Sequence, residues 1–173
     1  MLKIAFLDSN ALIAYYKKDE HPAHENMQEF IQNRLKNKIS VCISEISIGE
    51  CLNTLKNRIK GDKDYLEFAV WDLASKLSGV FRPLPLPGNS GSPGIRRLKN
   101  IWSDTRRWAK ESPTDAFLAA IIRHYFTGYP GNKHDCIFVS CDKRFVIAMR
   151  KEGYVVYNPS EKSYTEFIKG SNS

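Results

Sequence analysis

KIAFLDSN, residues 3–10, is a short apolar run that ends abruptly on a carboxylate. Its length and its lack of polar alternation predict a buried strand over residues 3–8, closed by Asp8. CIFVSC (136–141) and YVVY (154–157) repeat the pattern. The segments between such runs carry helical periodicity. The predicted order is strand 3–8, helix 9–17, helix 22–36, strand 39–43, helix 44–60, helix 63–78 and a short strand at 80–84. Helix 95–110, helix 113–127, strand 136–141, helix 143–151, strand 154–157 and a last helix at 160–169 follow. Short continuous apolar strands alternating with helices predict an α/β fold: three layers, α/β/α, around a central, mainly parallel sheet.

In sheets of this kind ligands bind beyond the carboxyl ends of the strands. Asp8 therefore acquires a second reading beside that of a helix N-cap. Asp142 follows a later apolar strand in the same way, so parallel strands would deliver both acids to one edge. In SPTDAFLAAIIRHYF (112–126), Ser112 and Pro113 form a helix start and Asp115 sits in its first turn. Asp115 heads an almost wholly apolar helix, which points it inward or into a cleft. Glu50, in SEISIGECLNTLKNRI (44–59), lies off the apolar stripe Ile48, Leu52, Leu55 and Ile59. Glu45 at the start of that helix is its rival and is explained by the helix dipole. Crowded carboxylates repel unless a cation neutralises them. Hard oxygen ligands suit Mg²⁺ or Mn²⁺, and no His/Cys set competes.

The chain has 173 residues, with 26 Lys and Arg against 19 Asp and Glu, a formal net charge of +7. This size predicts a single domain over 1–173. RPLPLPGNSGSPG (82–94) is too rich in Pro, Gly and Ser for a helix or a central strand, and predicts a loop within that domain. The positive balance favours a polyanionic partner. Its densest part is IRRLKNIWSDTRRWAK (95–110), where Arg96, Arg97, Lys99, Arg106, Arg107 and Lys110 surround Trp102 and Trp108. That mixture suits gripping phosphates and stacking bases, and also an amphipathic helix with solvated charges. No apolar run is long enough to span a membrane, and the amino terminus lacks signal-peptide layout. Cys42, Cys51, Cys136 and Cys141 lie in apolar stretches without zinc spacing, which predicts reduced, mostly buried thiols in a cytoplasmic protein. His21 and His24 flank Pro22 and are expected to form a polar turn at a helix start.

FLDSNALIAYY, SEISIGECLNTL, PTDAFLAA and FVSCDKRF, in that order, resemble the motifs of PIN-domain nucleases across nearly the whole chain. The resemblance implies a metal-dependent endoribonuclease whose catalytic and metal-binding acids match Asp8, Glu50, Asp115 and Asp142. It places Ser9 and Ser140 behind them, orienting carboxylates or water. It also implies VapC-type toxins as a subgroup, held inactive by an antitoxin and usually homodimeric. This chain departs from the shortest of those in the longer spacing between Glu50 and Asp115. The rival from another class is a PIN-like RNA- or partner-binding module without catalysis. A phosphatase using Asp8 as nucleophile would want a second acid two residues on, where the chain has Asn10.

Overall fold

The computed structural model describes residues 3–58, 62–84, 118, 136–151 and 153–171. Five strands are β1 (Lys3–Leu7), β2 (Ile39–Ser44), β3 (Phe81–Leu84), β4 (Cys136–Val139) and β5 (Val155–Tyr157). Six helices accompany them among the described residues: α1 (Ser9–Tyr16), α2 (Ala23–Asn33), α3 (Glu45–Arg58), α4 (Lys63–Gly79), α5 (Lys143–Lys151) and α6 (Tyr164–Ser171). The strands form one sheet in the order β3-β2-β1-β4-β5, and every pairing is parallel. The expected α/β class and three-layer α/β/α architecture are what the chain adopts.

Alternation along the strands builds the layers. Ala5, Leu7, Val41, Ile43, Ile137 and Val139 turn to one face and pack with apolar side chains of α1, α2, α3, α4 and α6. Phe6, Cys42, Cys136 and Phe138 turn to the other and pack with Phe145, Val146 and Met149 of α5 and with Leu118. Side chains two apart in a strand share a face, so both faces of an all-parallel sheet must be apolar, as they are here.

Several boundaries differ from the sequence expectation, each for a local reason. The last helix starts at Tyr164, not 160. Ser163 and Glu166 close a capping box there, in which Ser163 N–H donates to Glu166 at 2.9 Å and Glu166 N–H donates to Ser163 Oγ at 3.2 Å. Upstream, Asn158 Oδ1 accepts from Ser160 N–H and holds 158–161 in a turn. Helix α2 ends at Asn33, short of the expected 36, and the chain leaves it through turns over 34–38 that Lys38 closes with a φ of 53°. The strand predicted at 80–84 forms as β3, so Arg82, Pro83 and Leu84, where the two expectations overlapped, belong to it and not to the loop predicted over 82–94. β3 is the outermost of the described strands, where a proline without an N–H is tolerated. The rest of 82–94, helix 95–110 and the interior of helix 113–127 other than Leu118 lie outside the described residues.

No described helix is long and apolar enough to cross a membrane. Cys42, Cys51 and Cys136 are buried, Cys141 is half-buried, and all four are free thiols.

Candidate active site at the carboxyl edge of the sheet

The topology marks one position on the sheet. From β1 the chain moves outward through β2 to β3, then returns to the opposite side of β1 for β4 and β5. The direction reverses between β1 and β4. At such a switch point the connections leave in opposite directions and open a crevice beyond the strand ends. The residues one step past β1 and β4 are Asp8 and Ser140.

Asp8 continues the ladder by donating its N–H to Val139 O at 3.0 Å. It is also the N-cap of α1: its backbone is extended and its Oδ1 accepts from Ser9 N–H at 2.7 Å. Ser9 Oγ lies 3.4 Å from the same oxygen. The second oxygen, Oδ2, accepts from Ser140 Oγ at 2.7 Å. Ser140 Oγ in turn accepts from Asp142 N–H at 3.0 Å. One buried hydroxyl thus joins the two acids, side chain to one and backbone to the other. Asp8 is 2% exposed and Ser140 fully buried. Asp142 is half-buried and caps α5, with Oδ1 accepting from Arg144 N–H at 2.8 Å and Phe145 N–H at 3.1 Å. Its Oδ2 makes no hydrogen bond among the described residues, so it keeps an oxygen for another partner.

The polar edge is wider than these residues. Ser44 ends β2, and its Oγ accepts from Ser47 N–H at 3.0 Å at the start of α3. The Ser44 and Ser47 hydroxyls lie 2.9 Å apart, and both residues are buried. Asn158 follows β5 and is fully buried. Ser44, the last residue of β2, and Asp8, Ser140 and Asn158, each one step past its strand, therefore form a buried polar row at the carboxyl edge. The helix predicted over 44–60 takes in Ser44, whose place at this edge was missed; the available signal was a serine just before the helical stripe, the usual place of an N-cap. Asn158 carried no comparable signal.

Glu50 lies on α3, half-buried, with no hydrogen bond to Asp8 or Asp142 among the described residues. Asp115, Arg96, Arg97, Lys99, Arg106, Arg107 and Lys110 lie outside the described residues. Among the described residues no group of three or more His, Cys, Asp and Glu side chains is gathered closely enough to hold a metal ion. The two carboxylates brought together here are oxygen donors, whose chemistry fits a hard divalent cation such as Mg²⁺ or Mn²⁺ better than zinc.

The two histidines among the described residues stand apart. His24 Nδ1 lies 3.1 Å from Ala14 O, and His21 pairs with Glu25 across the start of α2. Burial pushes the thiol of Cys141, between Ser140 and Asp142, up to about 11, outweighing the hydrogen bond to Ser160, which favours the protonated form at neutral pH.

A model of the PIN domain matches residues 5–149. The chain belongs to the PIN-domain family. Members of that family are nucleases. No curated protein matches the sequence. Among solved structures, FitAcB from Neisseria gonorrhoeae superposes with a TM-score of 0.55 at 16% identity, covering 91% of this chain and 99% of that one. The Mycobacterium tuberculosis toxin VapC20, which cleaves the sarcin–ricin loop, gives 0.54 at 18% identity over 83% and 94%. VapBC2 from Rickettsia felis, bound to a promoter DNA fragment, gives 0.53 at 14% identity over 90% and 98%. At these identities the likeness is one of fold. It agrees with the PIN motifs that the sequence displays.

Proposed function

We propose that this chain is a PIN-family endoribonuclease dependent on Mg²⁺ or Mn²⁺, with Asp8, Glu50, Asp115 and Asp142 as its catalytic, metal-binding carboxylates. The observation that carries the reading is the Ser140 hydroxyl, which donates to Asp8 and accepts from the Asp142 amide at the switch point of the sheet. PIN nucleases generally use divalent ions. When bound, such an ion would supply Lewis acidity toward the phosphodiester and a more acidic water.

The chain's own groups supply position. Ser140 and Ser9 fix both oxygens of Asp8, so the carboxylate is already oriented before any ion arrives. Asp142 spends one oxygen on its helix, and its other oxygen has no hydrogen bond among the described residues. Arg96, Arg97, Lys99, Arg106, Arg107 and Lys110 are proposed to hold the RNA backbone. The toxin role is a further tier of the proposal: a cognate antitoxin chain covers the acids, and the nuclease is a homodimer. Its support is the family together with the toxin names of the structural neighbours.

The test is cleavage of a mixed, unstructured RNA by the pure protein with Mn²⁺, Mg²⁺ or EDTA. Asp8→Asn is run alongside, and folding is followed by circular dichroism. The expected result is metal-dependent cleavage lost in a folded Asp8→Asn protein. Equal cleavage by wild type and the variant would overturn the mechanism. No cleavage, together with no Mn²⁺ uptake in calorimetry, would favour a non-catalytic binding module.

A further inference from the structure

Helix α5 starts one residue after Asp142 and runs back over the second face of the sheet, with Phe145, Val146 and Met149 buried beneath it. Its outer side exposes Lys143, Arg144, Ile147, Arg150 and Lys151. Every charge on this helix is positive, whereas α4 mixes Asp64, Glu67 and Asp72 with Lys63 and Lys76, and α2 carries Glu25 and Glu29. The first turn of α5 holds Lys143 and Arg144 and no acid. Cations there face the positive end of the helix dipole, so helix stability gives no reason for them. A local rule broken beside a candidate site is a pointer to function.

Of the four cations, Arg150 is engaged by Glu161 at 2.9 Å. Lys143, Arg144 and Lys151 have no acidic partner among the described residues. Arg144 and Lys151 are two turns apart on one stripe, about 10 Å along the axis. Ile147 lies between them and is 53% exposed. Cations flanking an exposed apolar side chain match a strand that alternates phosphates with bases and sugars. A phosphodiester approaching Asp8 and Asp142 meets like charge, and cations that begin at the next residue offset that repulsion.

We propose that the outer ridge of α5, formed by Lys143, Arg144, Ile147 and Lys151, is a backbone track for single-stranded RNA, leading the strand along the side of the domain to the Asp8–Asp142 edge. The proposal rests on the ribonuclease reading and adds a surface to it. An acidic protein partner could use the same charges. RNA is favoured because the ridge abuts the two carboxylates to which a phosphodiester must be brought.

The test is equilibrium binding of a fluorescent oligouridine to the full chain in EDTA across a salt series. Each lost phosphate contact should lower the slope of log affinity against log salt by about 0.7 for a single strand. Lys143→Gln/Arg144→Gln/Lys151→Gln should lower it by about 2 and weaken binding at least about tenfold near 0.1 M salt. Arg144→Lys/Lys151→Arg should keep the wild-type slope. Lys36→Gln/Lys38→Gln/Lys56→Gln, which removes the same charge from other exposed sites, should also leave it unchanged. A ridge variant indistinguishable from that control would overturn the track, and metal-dependent cleavage by the same wild-type preparation would leave the nuclease standing. Loss of polyglutamate binding with RNA binding intact would reassign the ridge to a protein and overturn it too. A wild type that neither binds nor cleaves RNA would remove the track together with the ribonuclease reading.

Discussion

The two oxygens of Asp8 face different elements: Oδ1 takes the first N–H of α1, and Oδ2 takes the hydroxyl that follows β4. Capping and site-building are therefore compatible in one carboxylate, and Asp142 repeats the combination on α5. Ser140 is the hinge of the pair. Ser140→Ala removes a buried donor from Asp8 and a buried acceptor from the Asp142 amide. It should cost about 1–3 kcal/mol of stability, read from denaturant midpoints. Activity or Mn²⁺ affinity should fall about 10–100-fold, and Ser140→Thr should restore most of it. Loss of stability with unchanged metal affinity would reduce Ser140 to a packing residue. At this scale the sequence made Asp8 and Asp142 visible, because a charge ending a buried apolar run has few explanations. Their joining through Ser140 depends on the register Leu7 to Val139, which no local pattern contains.

Among elements, the strands were the most legible. Runs such as CIFV and VVY have no periodicity except burial on both faces, and they form β4 and β5. Helix ends were less so, since capping groups compete over a few residues. Ser163 outcompeted the upstream NPSE segment as the start of α6, and the cue was present as S-x-x-E. Ser163→Ala should destabilise the protein by about 1 kcal/mol, read as a fall in thermal midpoint, since it opens one side of the capping box. Glu29, from α2, also caps α6 by accepting from Tyr164 N–H at 3.0 Å. The effect of Ser163→Ala should consequently be smaller than complete fraying of α6, which limited proteolysis would detect. The strand predicted at 80–84 forms as β3, Pro83 included, and what the sequence did not contain was its place at one edge of the sheet.

For the whole molecule, parallel strands and two apolar faces followed from the alternation of short runs and helices. The order of the strands did not, and it is the order that puts the reversal between β1 and β4. The exposed pair Arg150–Glu161 ties α5 to the segment after β5. The hydrogen bond from Arg150 holds the Glu161 carboxyl below the ordinary carboxylate range, against a smaller opposing effect of burial. A carboxylate with a lowered folded pKa stabilises the fold above its unfolded pKa, and that contribution vanishes as pH falls through the folded value. The thermal midpoints of wild type and Glu161→Gln should therefore differ slightly at neutral pH and converge in acid, as pH falls through and below the ordinary carboxylate range. A gap that persisted in acid would mean the pair acts through packing. Solvent exposure and salt screening keep the neutral-pH difference small.

The bond from Ser140 to Asp8 spans 132 positions of chain. A ribosome emits residues in order, at about 5–20 per second. Asp8 therefore waits several seconds, as a strand end with no neighbour on its β4 side, until the chain has grown past Val139. Every copy that stops short of Ser140 lacks half of the pair. If the finished protein degrades RNA, its synthesis on an RNA template carries a built-in delay: the blade is assembled only after 132 further codons have been read beyond that of Asp8.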